Sequence, residues 1–85
     1  MTASDTLKLA RKARLRFDRH DERWMIVYPE RGLVLSESAA AIARKLDGTR
    51  SLEQLTGELA AERGADPADV RAFVDALRRK GLLER

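Results

Sequence analysis

The apolar residues of this chain change period once, at Ser36, and that change limits what it can fold into. Before Ser36 they alternate with polar residues or fall in short runs. After it they recur at three- and four-residue spacing, the period of an amphipathic helix. Arg14, Leu15, Arg16, Phe17 and Asp18 alternate polar with apolar, as a half-buried strand does. A polar turn, Arg19-His20-Asp21-Glu22, leads to Trp24, Met25, Ile26, Val27 and Tyr28. That aromatic and β-branched run predicts a strand covered on both faces. Pro29-Glu30-Arg31-Gly32 is placed to open and close a second turn, and Leu33-Val34-Leu35 forms a third strand. Three strands joined by two tight turns predict an antiparallel meander.

The helical part carries its own boundary signals. Ser36 or Ser38 can cap a helix with Ala39, Ile42, Ala43 and Leu46 on one face, ended by Asp47-Gly48. Ser51 with Gln54 three residues on is a capping box. It opens a helix with Leu52, Leu55 and Leu59 on one side and Gly64 as its stop. Asp66-Pro67 supplies an N-cap and a first-turn proline for a third helix. That helix has Val70, Phe73, Val74 and Leu77 on one stripe and Arg71, Asp75, Arg78 and Arg79 on the other. Gly81 ends it, and Leu82-Leu83 can fold back on the core. Strands followed by helices imply an α+β domain, a three-stranded antiparallel sheet and then a three-helix bundle on one sheet face. The chain has 85 residues, the size of one domain. Residues 1–12 lack caps and a clear period and read as a flexible N-terminal tail, leaving residues 13–85 as the domain.

Composition narrows the chemistry. With no cysteine and one histidine, the sequence offers no thiolate site and no nucleophile–base pair, so no cofactor, no metal site and no enzyme are expected. His20 lies in a charged turn, and Glu58 and Glu62, four residues apart, read as a solvated helix face. No apolar run reaches the roughly 18 residues of a membrane span, and a cytoplasmic protein without a membrane partner is expected. The net charge of +3 is concentrated early: residues 1–28 hold seven basic and four acidic side chains.

Binding is what remains. Residues 32–36, as a sheet edge, present unpaired amides and carbonyls that an extended peptide could join by strand addition. If the last helix runs beside that edge, Leu33, Val34, Leu35 and Ser36 form one wall of a groove. Val70, Phe73, Val74 and Leu77 form the other, with Arg71 and Arg78 at the rim for acidic residues. A charge on the third strand, such as Val34→Asp or Leu35→Lys, is then expected to weaken peptide binding in a folded domain.

Several pieces in order also resemble the PqqD family, the peptide chaperones of pyrroloquinoline quinone (PQQ) biosynthesis. They are Val27-Tyr28-Pro29-Glu30 leading into Leu33-Val34-Leu35, Ile42 through Leu46-Asp47-Gly48-Thr49, Leu52, Leu55 and Leu59-Ala60. Asp69-Val70 with Phe73 and Leu77, and Gly81-Leu82-Leu83, complete the series. Where the family often has asparagine after the third strand, this chain has Ser36, which still caps a helix. The resemblance implies a winged-helix-like fold and the binding of a ribosomal precursor peptide of the PqqA type. It also implies presentation of that peptide to a radical S-adenosylmethionine (SAM) enzyme of the PqqE type, and a peptide strand lying beside the third strand and against the third helix. Family members also occur fused to the synthase that finishes the cofactor.

Two other readings compete. A DNA-binding winged helix has the basic balance in its favour, but the strands precede the helices and Asp66 and Asp69 open the last one, where they would face phosphates; no nucleic-acid partner is expected. A structural or regulatory subunit of a modifying enzyme would use the apolar second face of the middle strand. The same face leaves room for weak homodimerisation.

Overall fold

The computed structural model describes residues 6–29 and 31–84. Its elements run β1 (Thr6–Lys8), β2 (Arg14–Asp18), β3 (Arg23–Tyr28), β4 (Arg31–Val34), α1 (Glu37–Ala43), β5 (Asp47–Ser51), α2 (Leu52–Arg63) and α3 (Pro67–Arg79). β2, β3 and β4 form the expected antiparallel meander with β3 in the centre. Leu15 faces Ile26 and Phe17 faces Trp24 on one side of β3; on the other, Ile26 faces Leu33 and Met25 faces Val34. Paired residues share a face and successive residues alternate. One face of the sheet therefore carries Leu15, Ile26 and Leu33 toward the helices, with Ile26 fully buried.

The other face carries Met25, Val27 and Val34. β3 is thus covered on one face only, a correction to the two-sided burial its apolar run predicts: Met25 and Val27 are half-buried. Gly32 does not close the turn. Tyr28 already pairs with Arg31, so Gly32 lies inside β4 opposite Val27. A Cβ there would meet the Met25 methyl at 2.6 Å, so the bare glycine gives that side chain room to lie across the strand.

The helix signals behave as local chemistry dictates. Ser36 Oγ accepts from the Ala39 amide at 3.1 Å. At Ser51 both arms of the capping box form, 3.2 Å from the Gln54 amide to Ser51 Oγ and 2.9 Å from the Ser51 amide to Gln54 Oε1. Gly64 ends α2 at φ 64°, a left-handed conformation glycine adopts without a Cβ clash. Asp66 caps α3, with Pro67 in its first turn. α1 closes at Ala43 rather than running on to Leu46. Turn bonds from the Lys45 amide to Ile42 and from the Leu46 amide to Ala43 tighten its end, and Leu46 still reaches the core.

The segment expected as a tail is where the structure differs most. Residues 6–12 are not loose: β1 pairs antiparallel with β5, a strand the Asp47-Gly48 helix stop conceals. Leu7 is buried. The Ala10 amide donates to the Leu82 carbonyl at 2.8 Å, and the Lys8 carbonyl accepts from the Glu84 amide at 2.7 Å. The C-terminal residues are thereby tied to residues 8–10, which are themselves tied to the 46–51 segment. Residues 1–5 lie outside the described residues. The core beneath is one cluster in which Leu55, Leu59, Val70, Leu77 and Leu82 have no exposed surface.

Candidate functional site

β4 is a sheet edge, and its register fixes which backbone groups are free. The Leu35 amide donates to the Trp24 carbonyl at 2.9 Å, so Leu35 turns its amide toward β3. Antiparallel ladders alternate, so Leu33, opposite Ile26, does the same. Gly32 and Val34 then point their amides and carbonyls away from the sheet. β2 is the other edge, but Arg14, Arg16 and Asp18 line it, and charged side chains guard an edge against pairing. β4 has a charge only at its first residue, Arg31.

The residues expected to form the groove divide sharply. Val34 is 54% exposed, Ser36 is exposed and Leu33 is half-buried. Leu35 is only 6% exposed. Leu35→Lys would therefore disrupt the core rather than probe an edge. On α3, Val70, Val74 and Leu77 are at most 1% exposed and hold the core, which corrects their placement on a groove wall. The i, i+3, i+4, i+7 stripe is the same for a helix face that is buried and one that is half open. Phe73 alone of the four keeps partial exposure, and Arg71 and Arg78 are exposed. Val34 and Phe73 line separate clefts rather than one.

The Phe73 cleft, about 260 Å³, lies between α1, the end of α2 and the start of α3, and includes Ala39, Arg63 and Asp69. The larger cleft, about 620 Å³, lies between the β2–β3 turn, the end of β4 and α1. Its aromatic walls are Phe17 and Trp24, and the end of β4 at Val34 borders it; Arg23, Arg44 and Arg63 bring positive charge, Glu22 and Glu37 negative. Phe17 meets Trp24 edge-on at 5.3 Å, and the Arg44 guanidinium lies over the Trp24 ring, 5.5 Å from its centre. Phe17 and Val34 are the exposed large hydrophobic residues of the described chain. No local sequence signal joins Phe17 to Arg44, because the cleft forms only when α1 crosses the sheet.

The carboxylates four residues apart on α2 are structural. Lys45 Nζ lies 3.0 Å from Glu58 and 3.1 Å from Glu62, and Arg50 Nε lies 2.8 Å from Glu58. The Arg50 guanidinium first, then the Lys45 ammonium, hold Glu58 below its ordinary carboxylate range. Hydrogen bonds from Thr49 lower Asp47, and those from Lys45 to Glu58 and Glu62 raise Lys45. A carboxylate held ionised by two cations is a poor proton carrier near neutrality. Among the described residues no cluster of three or more His, Cys, Asp or Glu is placed to hold a metal ion, and no helix is long and apolar enough to cross a membrane.

These features define a class: a small α+β domain whose meander ends in one unguarded strand edge beside an aromatic and cationic cleft. The chain belongs to the PqqD family, whose model, described as coenzyme PQQ synthesis protein D, matches residues 23–83. A PqqA binding protein of Xanthomonas oryzae pv. oryzae (strain PXO99A) is 49% identical over 61 residues, covering 72% of this chain and 66% of that protein. The chain thus spans just under two thirds of that relative. A PqqA binding protein of Rhodopseudomonas palustris (strain BisB5) is 40% identical over 79 residues, covering 88% of this chain and 78% of the relative. Among solved structures, the PqqD truncation of Methylobacterium extorquens PqqCD is described as a functional, stand-alone recognition element for ribosomally synthesized and post-translationally modified peptides. It matches with a TM-score of 0.71 at 32% identity, covering 100% of this chain and 95% of that one. PqqD from Xanthomonas campestris matches at 0.58 and 34% identity, with 100% and 99% covered.

Proposed function

We propose that this domain is a non-catalytic peptide chaperone of PQQ biosynthesis. It binds a PqqA-type precursor peptide by strand addition to β4 and presents it to a radical SAM enzyme of the PqqE type in the cytoplasm. The observation that carries the reading is the β4 edge, where register turns the backbone groups of Gly32 and Val34 outward and leaves no guarding charge beyond Arg31. Relatives named for PqqA binding, and a matched structure described as a recognition element, support the same role.

Backbone pairing supplies affinity in this mode, and side-chain pockets supply selectivity. Leu33, Val34 and Ser36 would meet the peptide directly, with Phe73 the α3 residue able to add contact. Arg71 and Arg78 remain exposed for acidic residues of the peptide or for the enzyme. Val34→Pro tests the mode. Proline removes an amide that faces away from β3, so the ladder inside the sheet keeps its bonds while the incoming strand loses one. Calorimetric titration with a PqqA-type peptide should show at least about tenfold weaker binding (~1.4 kcal/mol). Unchanged affinity in the folded variant would remove strand addition at β4.

A further inference from the structure

The peptide reading leaves the larger cleft unused, although Val34 belongs both to it and to the β4 edge. A strand added to β4 and continuing past Ser36 arrives at the cleft mouth. There it meets Phe17, 44% exposed, and Trp24, both on the helix-facing side of the sheet. These two rings would bury a bulky apolar side chain, which backbone pairing along β4 alone does not do.

The cleft also has unmet charge. Arg50 and Lys45 are saturated by carboxylates, whereas among the described residues Arg44 and Arg63 accept no ion pair and make no side-chain hydrogen bond. Arg44 is held in place by the Trp24 ring rather than by an anion. A guanidinium lying over an aromatic ring keeps its in-plane N–H donors free, the geometry that takes a carboxylate in bidentate fashion. Glu22 and Glu37 offset part of the charge, yet three guanidiniums line the cleft against those two carboxylates.

We infer that this cleft is a specificity subsite for the bound peptide, taking an apolar side chain against Phe17 and Trp24 and a neighbouring carboxylate on Arg44 and Arg63. The inference rests on strand addition at β4 and adds to it a sequence requirement: a bulky apolar residue next to Asp or Glu. Arg63 also lines the Phe73 cleft, so it stands where a peptide leaving the subsite would pass the end of α1.

Trp24 is the sole tryptophan of the chain, so its emission reports the subsite alone. The full chain is titrated with a synthetic PqqA-type precursor peptide and with the same peptide carrying Asn and Gln for every Asp and Glu. Trp24 emission and the amide shifts of β4 are followed together. The acidic peptide should shift both signals. Arg44→Gln with Arg63→Gln should weaken it about tenfold while leaving the amide-substituted peptide unaffected, as loss of a charge-assisted contact requires. Arg63→Gln alone, which does not touch the Trp24 ring, should give part of the loss and guards against a packing effect at Arg44. If β4 amides shift while Trp24 stays silent, or the double variant binds like the parent, the subsite is wrong and strand addition survives. If neither signal moves, both readings fall.

Discussion

At one end of the domain β1 pairs with β5, the Lys8 carbonyl accepts from Glu84, and the Ala10 amide reaches the Leu82 carbonyl. At the other, β4 pairs only with β3 among the described residues and turns the polar groups of Gly32 and Val34 outward. Charge follows the same division. Lys45, Arg50, Asp47, Glu58 and Glu62 are bonded together beside β5, while Arg44 and Arg63 at the cleft have no anion among the described residues. A small domain has little core to spare. This one closes its terminal end with backbone bonds and ion pairs, and leaves the β4 edge open among the described residues. The contrast implies that substitutions at the closed end act on stability and those at the open end on binding.

The largest effect should come from breaking the closed end. Leu82 lies beyond α3 yet has no exposed surface. Leu82→Ala should cost about 2–5 kcal/mol, read by urea unfolding; a loss below 1 kcal/mol would mean that the C-terminal segment is not core. At the open end, Val34→Pro should change stability by about 1 kcal/mol or less while weakening peptide binding as given above. A variant that unfolds would show that β4 is part of the closed framework.

Glu22 sharpens the contrast further. Among the described residues it is the one non-glycine with a left-handed backbone, at φ 55°, in the turn bordering the cleft. Glu22→Gly relieves that strain and should stabilise the fold by about 1 kcal/mol, seen as a raised unfolding midpoint; a lowered midpoint would show that the Glu22 side chain holds the turn.

The smallest effect concerns the ion pairs. Glu58 is held below its ordinary value of 4.5. Its contribution to stability is therefore fully present above that value and lost as pH falls through the depressed one. Glu58→Gln should lower the urea midpoint at pH well above 4.5 and match the parent well below it. An equal gap at both would place the contribution in packing rather than charge.

How much of this was legible in the sequence depends on the range of each interaction. Ser51 with Gln54, Asp66 with Pro67, and Gly64 act on their own turns, so their spacing alone locates α2 and α3. The meander was equally legible, because Leu15 and Phe17 alternate beside an apolar run. β1 was not. It has three residues and one buried side chain, Leu7, and its partner lies some forty residues on, behind a glycine that reads as a helix stop. The site was half legible. The β4 edge follows from strand order, but periodicity could not tell whether Val70, Val74 and Leu77 wall a groove or fill the core. The cleft of Phe17, Trp24 and Arg44 depends on how α1 crosses the sheet, which no local pattern records.

The most direct test is an amide NMR titration of the labelled domain with a PqqA-type precursor peptide at physiological salt. Strand addition predicts shifts concentrated on residues 31–36, with new exchange protection at the Gly32 and Val34 amides and none at Val70, Val74 or Leu77. Protection appearing along β2 instead, or shifts confined to α3 with β4 silent, would contradict it.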